Sequence, residues 1–161
     1  MSPLLPNQGP PTAATHEPIP LPEMFRLRNA LMQAAPDFRL TDAILESVAE
    51  AEEAPLEHVY AAAGTHPQFV FQPQNDVLLA VCTGGCQSQG AIENLKKFIE
   101  TRKDRAQADG KKNFDIMPRA CLDMCPHAPV VMSRGPHGTA AHPKLTPDGV
   151  NELIDALCDD A

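Results

Sequence analysis

The sequence predicts an α/β fold, in which a small sheet with flanking helices follows a short all-α N-terminal segment. Three observations support this prediction. Apolar residues recur with helical spacing over 21–64, a continuous apolar run begins at residue 76, and strand and helix patterns then alternate to the C-terminus. Because short continuous apolar runs are typical of strands buried on both faces, we expect the first strand inside the molecule.

The chain of 161 residues divides into three predicted parts. Residues 1–20 form a proline-rich tail, expected to be disordered or extended because proline lacks a backbone donor and blocks regular pairing. Residues 21–75 form the helical segment, and residues 76–161 form the domain that carries the sheet.

Three helices are predicted in the N-terminal segment. The first covers 21–33 and has Met24, Leu27 and Leu31 on one stripe. The second begins after Thr41, a plausible N-cap, and the third ends at Gly64, a residue favoured at helix C-termini. Helices this short need a packing partner. An exposed stripe on the first helix would indicate a homodimer face, whereas a buried one would pack on the sheet domain.

From residue 76 the predicted order is strand, helix, strand, strand, a weaker strand and helix. The first strand runs directly into Cys82, and an amphipathic helix follows Cys86. The last helix has Thr146 as its N-cap and Pro147 at its first position. A thioredoxin-like arrangement fits this order best. The predicted strands cover 76–81, 114–120, 129–134 and 138–142.

Composition excludes several classes of function. The formal net charge is −8, from 13 basic and 21 acidic residues, which argues against a nucleic-acid surface. No stretch reaches the roughly 18 apolar residues of a membrane-spanning helix, and the N-terminus has no signal-peptide pattern. The expected compartment is therefore a reducing cytoplasm, where cysteines serve as metal ligands or reactive thiols more often than as disulfides.

Four of the five cysteines form two C-x3-C pairs. Cys82 and Cys86 lie in the loop between a strand and the helix that follows it. Cys121 and Cys125 follow the next strand. Loops that follow two strands of one sheet can converge, and the first turn of a helix offers unpaired N–H groups to thiolates. We therefore expect one site with four cysteine ligands. Cys158, in the last helix, is expected to be a semi-buried small hydrophobe.

The spacing alone leaves several occupants open. A [2Fe–2S] cluster takes two thiolates on each iron, which two paired loops supply directly, and it is the favoured interpretation. A structural zinc site accepts the same four ligands. A dithiol redox site prefers C-x-x-C, and disulfides fit the expected compartment poorly.

The ordered set "CTGGC", "CLDMCPHAPVV" and "LTPDGVNELI" resembles the thioredoxin-like [2Fe–2S] ferredoxin family, over roughly residues 24–158. This family includes the small peripheral [2Fe–2S] subunit beside the flavoprotein in respiratory complex I. The resemblance implies that Cys82, Cys86, Cys121 and Cys125 ligate the cluster. Two features depart from the family. The first pair is C-x3-C here and usually C-x4-C there, and "THPQF" stands where the family carries an aromatic pair.

The resemblance implies a one-electron carrier with no catalytic site of its own. It would act within an NAD(P)-linked flavoprotein oxidoreductase, such as an NADH dehydrogenase, or as a free-standing ferredoxin. The expected partner is a flavoprotein that binds FMN and NADH. The alternative is a structural four-cysteine zinc module that mediates interactions.

Overall fold

The computed structural model describes residues 17–122 and 128–159. Residues 1–16 of the predicted tail, and the segment 123–127 with Cys125, lie outside the described residues. The helices are α1 (Leu21–Ala34), α2 (Asp42–Ala51), α3 (Leu56–Gly64), a 3₁₀ helix (Gly85–Gln89), α4 (Ala91–Gln107) and α5 (Pro147–Asp159). The strands are β1 (Arg39–Leu40), β2 (Val70–Phe71), β3 (Val77–Cys82), β4 (Phe114–Arg119), β5 (Val131–Gly135) and β6 (Gly138–His142).

The main sheet has four strands in the order β4-β3-β5-β6. Strands β3 and β4 are parallel, while β5 runs antiparallel to β3 and β6 antiparallel to β5. The register of the parallel pair places Cys82 opposite Arg119. The residues that follow these two strands therefore emerge side by side at one edge of the sheet.

The fold class predicted from the sequence is confirmed. All four predicted strands of the main sheet form, and the strand that begins after Asp76 is buried at Val77, Leu79 and Val81. A second, two-stranded parallel sheet pairs β1 with β2. This sheet was not predicted, because two residues are too few to show a periodic pattern.

The stripe of α1 is buried within the chain. Leu27 and Leu31 are fully enclosed and Met24 is nearly so, with α1 lying against α2 and α3. The predicted N-cap of α2 is also present, since the Thr41 Oγ1 accepts a hydrogen bond from the Ile44 N–H at 3.3 Å. These three residues of α1 thus form part of the core and offer no exposed dimer face.

The helical segment packs directly on the sheet domain through α3. This helix contacts α4 and β4, and Gly64 at its end lies against Thr83 and Pro118. A Cβ at Gly64 would come within 2.8 Å of the Thr83 Oγ1. The absence of a side chain therefore lets α3 approach the loop that follows β3.

The "THPQF" stretch contributes an aromatic cluster at the end of α3. The rings of Phe38 and His66 stack at 5.5 Å, and Phe69 contacts both rings. Phe69 is also buried. Stacking between aromatic rings at this separation is favourable, so this cluster holds the stretch after α3 against Phe38, the residue before β1.

A half-buried arginine in α4 makes polar contacts with two other elements. The Arg102 side chain donates to the Phe114 carbonyl oxygen at 2.7 Å and to the Asp42 carboxylate at 2.7 Å. It also forms an ion pair with Asp115 at 3.4 Å. The Asp115 carboxylate also accepts from the backbone N–H groups of Gln74 and Asn75 and from the Asn75 Nδ2. Arg102 thereby links α2, α4 and β4.

None of the described helices is long and apolar enough to cross a membrane.

We expect Arg102→Met to lower the free energy of unfolding of the apo protein by about 2–3 kcal/mol, because it leaves buried charge on Asp115 without its cationic partner. Urea titration followed by circular dichroism measures this change. Lys103→Met, on the neighbouring exposed position of α4, is the control and should change stability by less than about 0.5 kcal/mol. Equal stabilities of the two variants would contradict the proposed importance of Arg102.

Candidate metal centre

Cys82 ends β3 and is held beside the end of β4. The next residue, Thr83, is fully buried and donates twice to the Arg119 carbonyl oxygen, from its N–H at 2.7 Å and from its hydroxyl at 3.2 Å. These hydrogen bonds continue the pairing of the two strands by one residue. The first cysteine loop is therefore anchored to the backbone that leads into the second.

The two loops touch at Gly84. A Cβ built on Gly84 would overlap the carbonyl oxygen of Ala120, the residue before Cys121. Only glycine allows the two backbones to come this close. The pair of glycines in "CTGGC" thus includes one position where a side chain is sterically excluded.

Cys86 lies in the 3₁₀ helix that follows, and its thiol meets that of Cys82. Both side chains are buried, in a small cluster with Ala91 that Leu122 and Ala128 border. A hydrogen bond joins the Cys82 and Cys86 side chains. The C-x3-C spacing, one residue shorter than is usual in the family it resembles, therefore still brings the first two thiols together.

The surroundings of Cys82 favour its thiolate. The hydrogen bond from Cys86 is the largest cause that lowers the pKa of Cys82, to about 6, although burial acts in the opposite direction. Backbone N–H groups of Gly84, Cys86 and Leu122 also donate to the sulfur and lower its pKa further. Two of these donors belong to the first cysteine loop and one to the second.

Cys121 lies two residues beyond the end of β4 and is exposed. The carbonyl oxygen of the preceding Ala120 is 3.7 Å from the Cys82 Sγ, a contact to which the protonated thiol donates. Cys125 lies outside the described residues. Within the described part of the chain, no three His, Cys, Asp or Glu side chains converge to hold a metal ion. The structure thus brings Cys82 and Cys86 together and puts the Cys121 backbone beside them.

The donor set fits a metal–sulfur group. Two thiols lie within hydrogen-bond contact, and three backbone N–H groups point at one sulfur. Thiolate ligands bind iron and zinc, and hydrogen bonds to the sulfurs adjust the potential of an iron–sulfur cluster. Cys82 and Cys86 would hold such a group from the β3 side, and Cys121 would approach it from the β4 side.

Cys158 is distant from this centre, as predicted. It is 1% exposed, and its Sγ lies 3.9 Å from the carbonyl oxygen of Asn113, the residue that precedes β4. The cysteine pairs lie at the other end of the same strand. Cys158 therefore packs as a small apolar side chain in α5.

Two residues that shape the site were not found from the sequence. Thr83 and Gln87 are polar but buried, and both make hydrogen bonds to backbone groups distant in the chain. The sequence contains no signal for such contacts, because their partners come from segments that only the fold brings close.

Comparison with known proteins gives the family of this chain. The curated proteins include no significant match to the sequence. The sequence model of one family, described as thioredoxin-like [2Fe-2S] ferredoxin, matches residues 29–158. This span covers most of the chain and includes all four paired cysteines. The match confirms the family, the fold class and the cofactor expected from the sequence. The chain therefore belongs to the thioredoxin-like [2Fe-2S] ferredoxin family, whose members bind a [2Fe–2S] cluster.

Proposed function

We propose that this protein is a one-electron carrier whose single [2Fe–2S] cluster is ligated by Cys82, Cys86, Cys121 and Cys125. The observation that carries the proposal is the meeting of the two cysteine loops at the ends of parallel strands, with Cys82 and Cys86 already in contact. When bound, the cluster would accept and release one electron without bond-making chemistry.

The chain's own groups would serve two purposes. Backbone N–H groups of Gly84, Cys86 and Leu122 would stabilise the negative charge that the bound sulfur carries, since hydrogen bonds to thiolates favour the charged form. The apolar contacts of Ala91, Leu122 and Ala128 would limit the access of water to the buried pair. Exposed Cys121 marks the side from which an electron would enter or leave.

A flavoprotein that oxidises NADH or NADPH is the proposed redox partner, and a reducing compartment such as the cytoplasm suits the reduced thiols. The family membership supports the carrier role, while the partner follows from the resemblance to subunits of NADH dehydrogenases. A free-standing ferredoxin would use the same site. In both settings the protein would contribute the electron relay and its partner the chemistry.

The first experiment is anaerobic expression followed by measurement of iron, acid-labile sulfide and zinc. We expect two irons and two sulfides in each chain, and a rhombic spin-one-half electron paramagnetic resonance (EPR) signal after reduction with dithionite. Zinc without sulfide, from cells able to assemble clusters, would overturn the carrier proposal and leave a structural zinc module.

The proposed partner is tested by adding NADH. NADH should reduce the cluster in anaerobic lysate, which contains the partner, but not in the purified protein.

Replacement of single cysteines should separate ligands from the remaining thiol. We expect each single replacement by Ser, at Cys82, Cys86, Cys121 or Cys125, to accelerate iron loss to a chelator by at least roughly tenfold. Loss of a residue that only hydrogen-bonds a metal ligand already lowers metal affinity by about tenfold. Cys158→Ser is the matched control and should retain iron at the wild-type level. Retention of a wild-type cluster in any of the four would remove that residue from the ligand set.

The close approach of the loops gives a second prediction. Gly84→Ala should lower the stability of the apo protein by about 1–3 kcal/mol, because the new methyl group forces the backbone of Ala120 away. It should also reduce the iron bound after reconstitution. Gly149→Ala, in α5, is the control and should raise stability by about 0.5–1 kcal/mol, because alanine favours the helix more than glycine does. Thermal unfolding and iron analysis measure both, and a normal iron content in Gly84→Ala would contradict this account.

A further inference from the structure

The N-terminal stretch before α1 is attached to the cysteine loop. Residues 17–20 have no regular secondary structure, and Ile19 is only 7% exposed although Glu17, Pro18 and Pro20 around it are exposed. The Ile19 N–H donates to the Gln87 Oε1 at 2.8 Å. Gln87 directly follows Cys86. The last residues of the predicted proline-rich tail therefore contact the residue next to Cys86, a proposed ligand.

The Gln87 amide joins two backbone segments at once. Its Nε2 donates to the carbonyl oxygen of Thr83, the residue after Cys82, while its Oε1 accepts from Ile19. Gln87 is itself 7% exposed. A buried donor and a buried acceptor that face the same side chain can both be satisfied by an amide, but not by a carboxylate or an apolar group of that length.

We propose that Gln87 and the Ile19 segment form a brace that positions the Cys86 turn and excludes water from the inner side of the cluster. Gln87 is a positioning residue in this arrangement, since it acts through the backbone on both sides of the C-x3-C pair. The brace is continuous with α1, because the Pro20 carbonyl oxygen accepts from the Met24 N–H at 3.1 Å. This inference rests on the proposed cluster site.

Two physical consequences follow for a bound cluster. Without the brace, the Thr83 carbonyl oxygen and the Ile19 N–H lose their partners. Water must then enter the site to form these hydrogen bonds. Water beside Cys86 would stabilise the reduced, more negative form of the cluster and shift its midpoint potential to more positive values. The looser turn would also release iron faster. The brace thus relates the N-terminal stretch to the redox properties of the site.

The test compares Gln87→Met with Gln89→Leu in the full chain. Met retains the length of Gln87 but removes both hydrogen bonds. Gln89 lies in the same turn, and its side chain makes no hydrogen bond within the described part of the chain. We expect Gln87→Met to lose iron to a chelator roughly tenfold faster and to have a more positive potential. Gln89→Leu should match the wild type in both.

A second pair acts on the other end of the same hydrogen bond. Ile19→Pro removes the N–H donor, while Ile19→Val keeps it together with most of the side chain. Only the proline variant should reproduce the Gln87→Met behaviour. In the apo protein, amide hydrogen exchange of Ile19 should be slow in the wild type and in Gln89→Leu, and fast in Gln87→Met.

The outcomes separate the two proposals. Normal cluster content, iron release and potential in both Gln87→Met and Ile19→Pro, with unchanged Ile19 exchange in Gln87→Met, would overturn the brace and leave the carrier intact. A wild-type protein that holds zinc and no sulfide would overturn the carrier proposal and, with it, this inference. Faster release and a shifted potential in both variants, with both controls unchanged, would support the brace.

Discussion

The parallel pairing of β3 with β4 is the constraint on which the rest of the site depends. Its register places Cys82 opposite Arg119, so that the chain leaves both strands at the same edge. Because side chains alternate along a strand, a shift of one residue would turn Cys82 to the other face and separate the loops. The buried hydroxyl of Thr83 secures this register by a further hydrogen bond to Arg119.

Support for this edge comes from the helical segment as well as from the sheet. Gly64 at the end of α3 lies on Thr83, and the Gln87 amide holds the stretch before α1. Arg102, farther along, connects α2 to β4. The proposed boundary between the helical segment and the sheet domain at residues 75 and 76 is therefore crossed by packing and polar contacts. This arrangement suits a centre whose potential depends on how firmly its ligands are held.

The site favours a negative charge on sulfur although the protein as a whole is already negatively charged. The chain carries a formal charge of −8, yet the Cys82 sulfur receives backbone N–H groups that favour a thiolate. Backbone donors can do this without adding cationic side chains, which would attract other anions. A carrier built in this way would accept negative charge at a site buried on the Cys82 and Cys86 side, while the protein keeps its net negative charge.

Local patterns were sufficient for much of this protein. The helical stripes, the N-cap at Thr41 and the apolar run before Cys82 predict elements that form nearly where expected, because each depends on neighbours in the chain. The spacing of the cysteines and the motifs around them were likewise enough to indicate the family and its cofactor. Tertiary structure alone decided the pairing of β1 with β2, the closeness of Gly84 to Ala120, and the contact of Gln87 with Ile19. Each of these joins segments far apart in the sequence, and no local periodicity records which distant backbone group a buried side chain will meet.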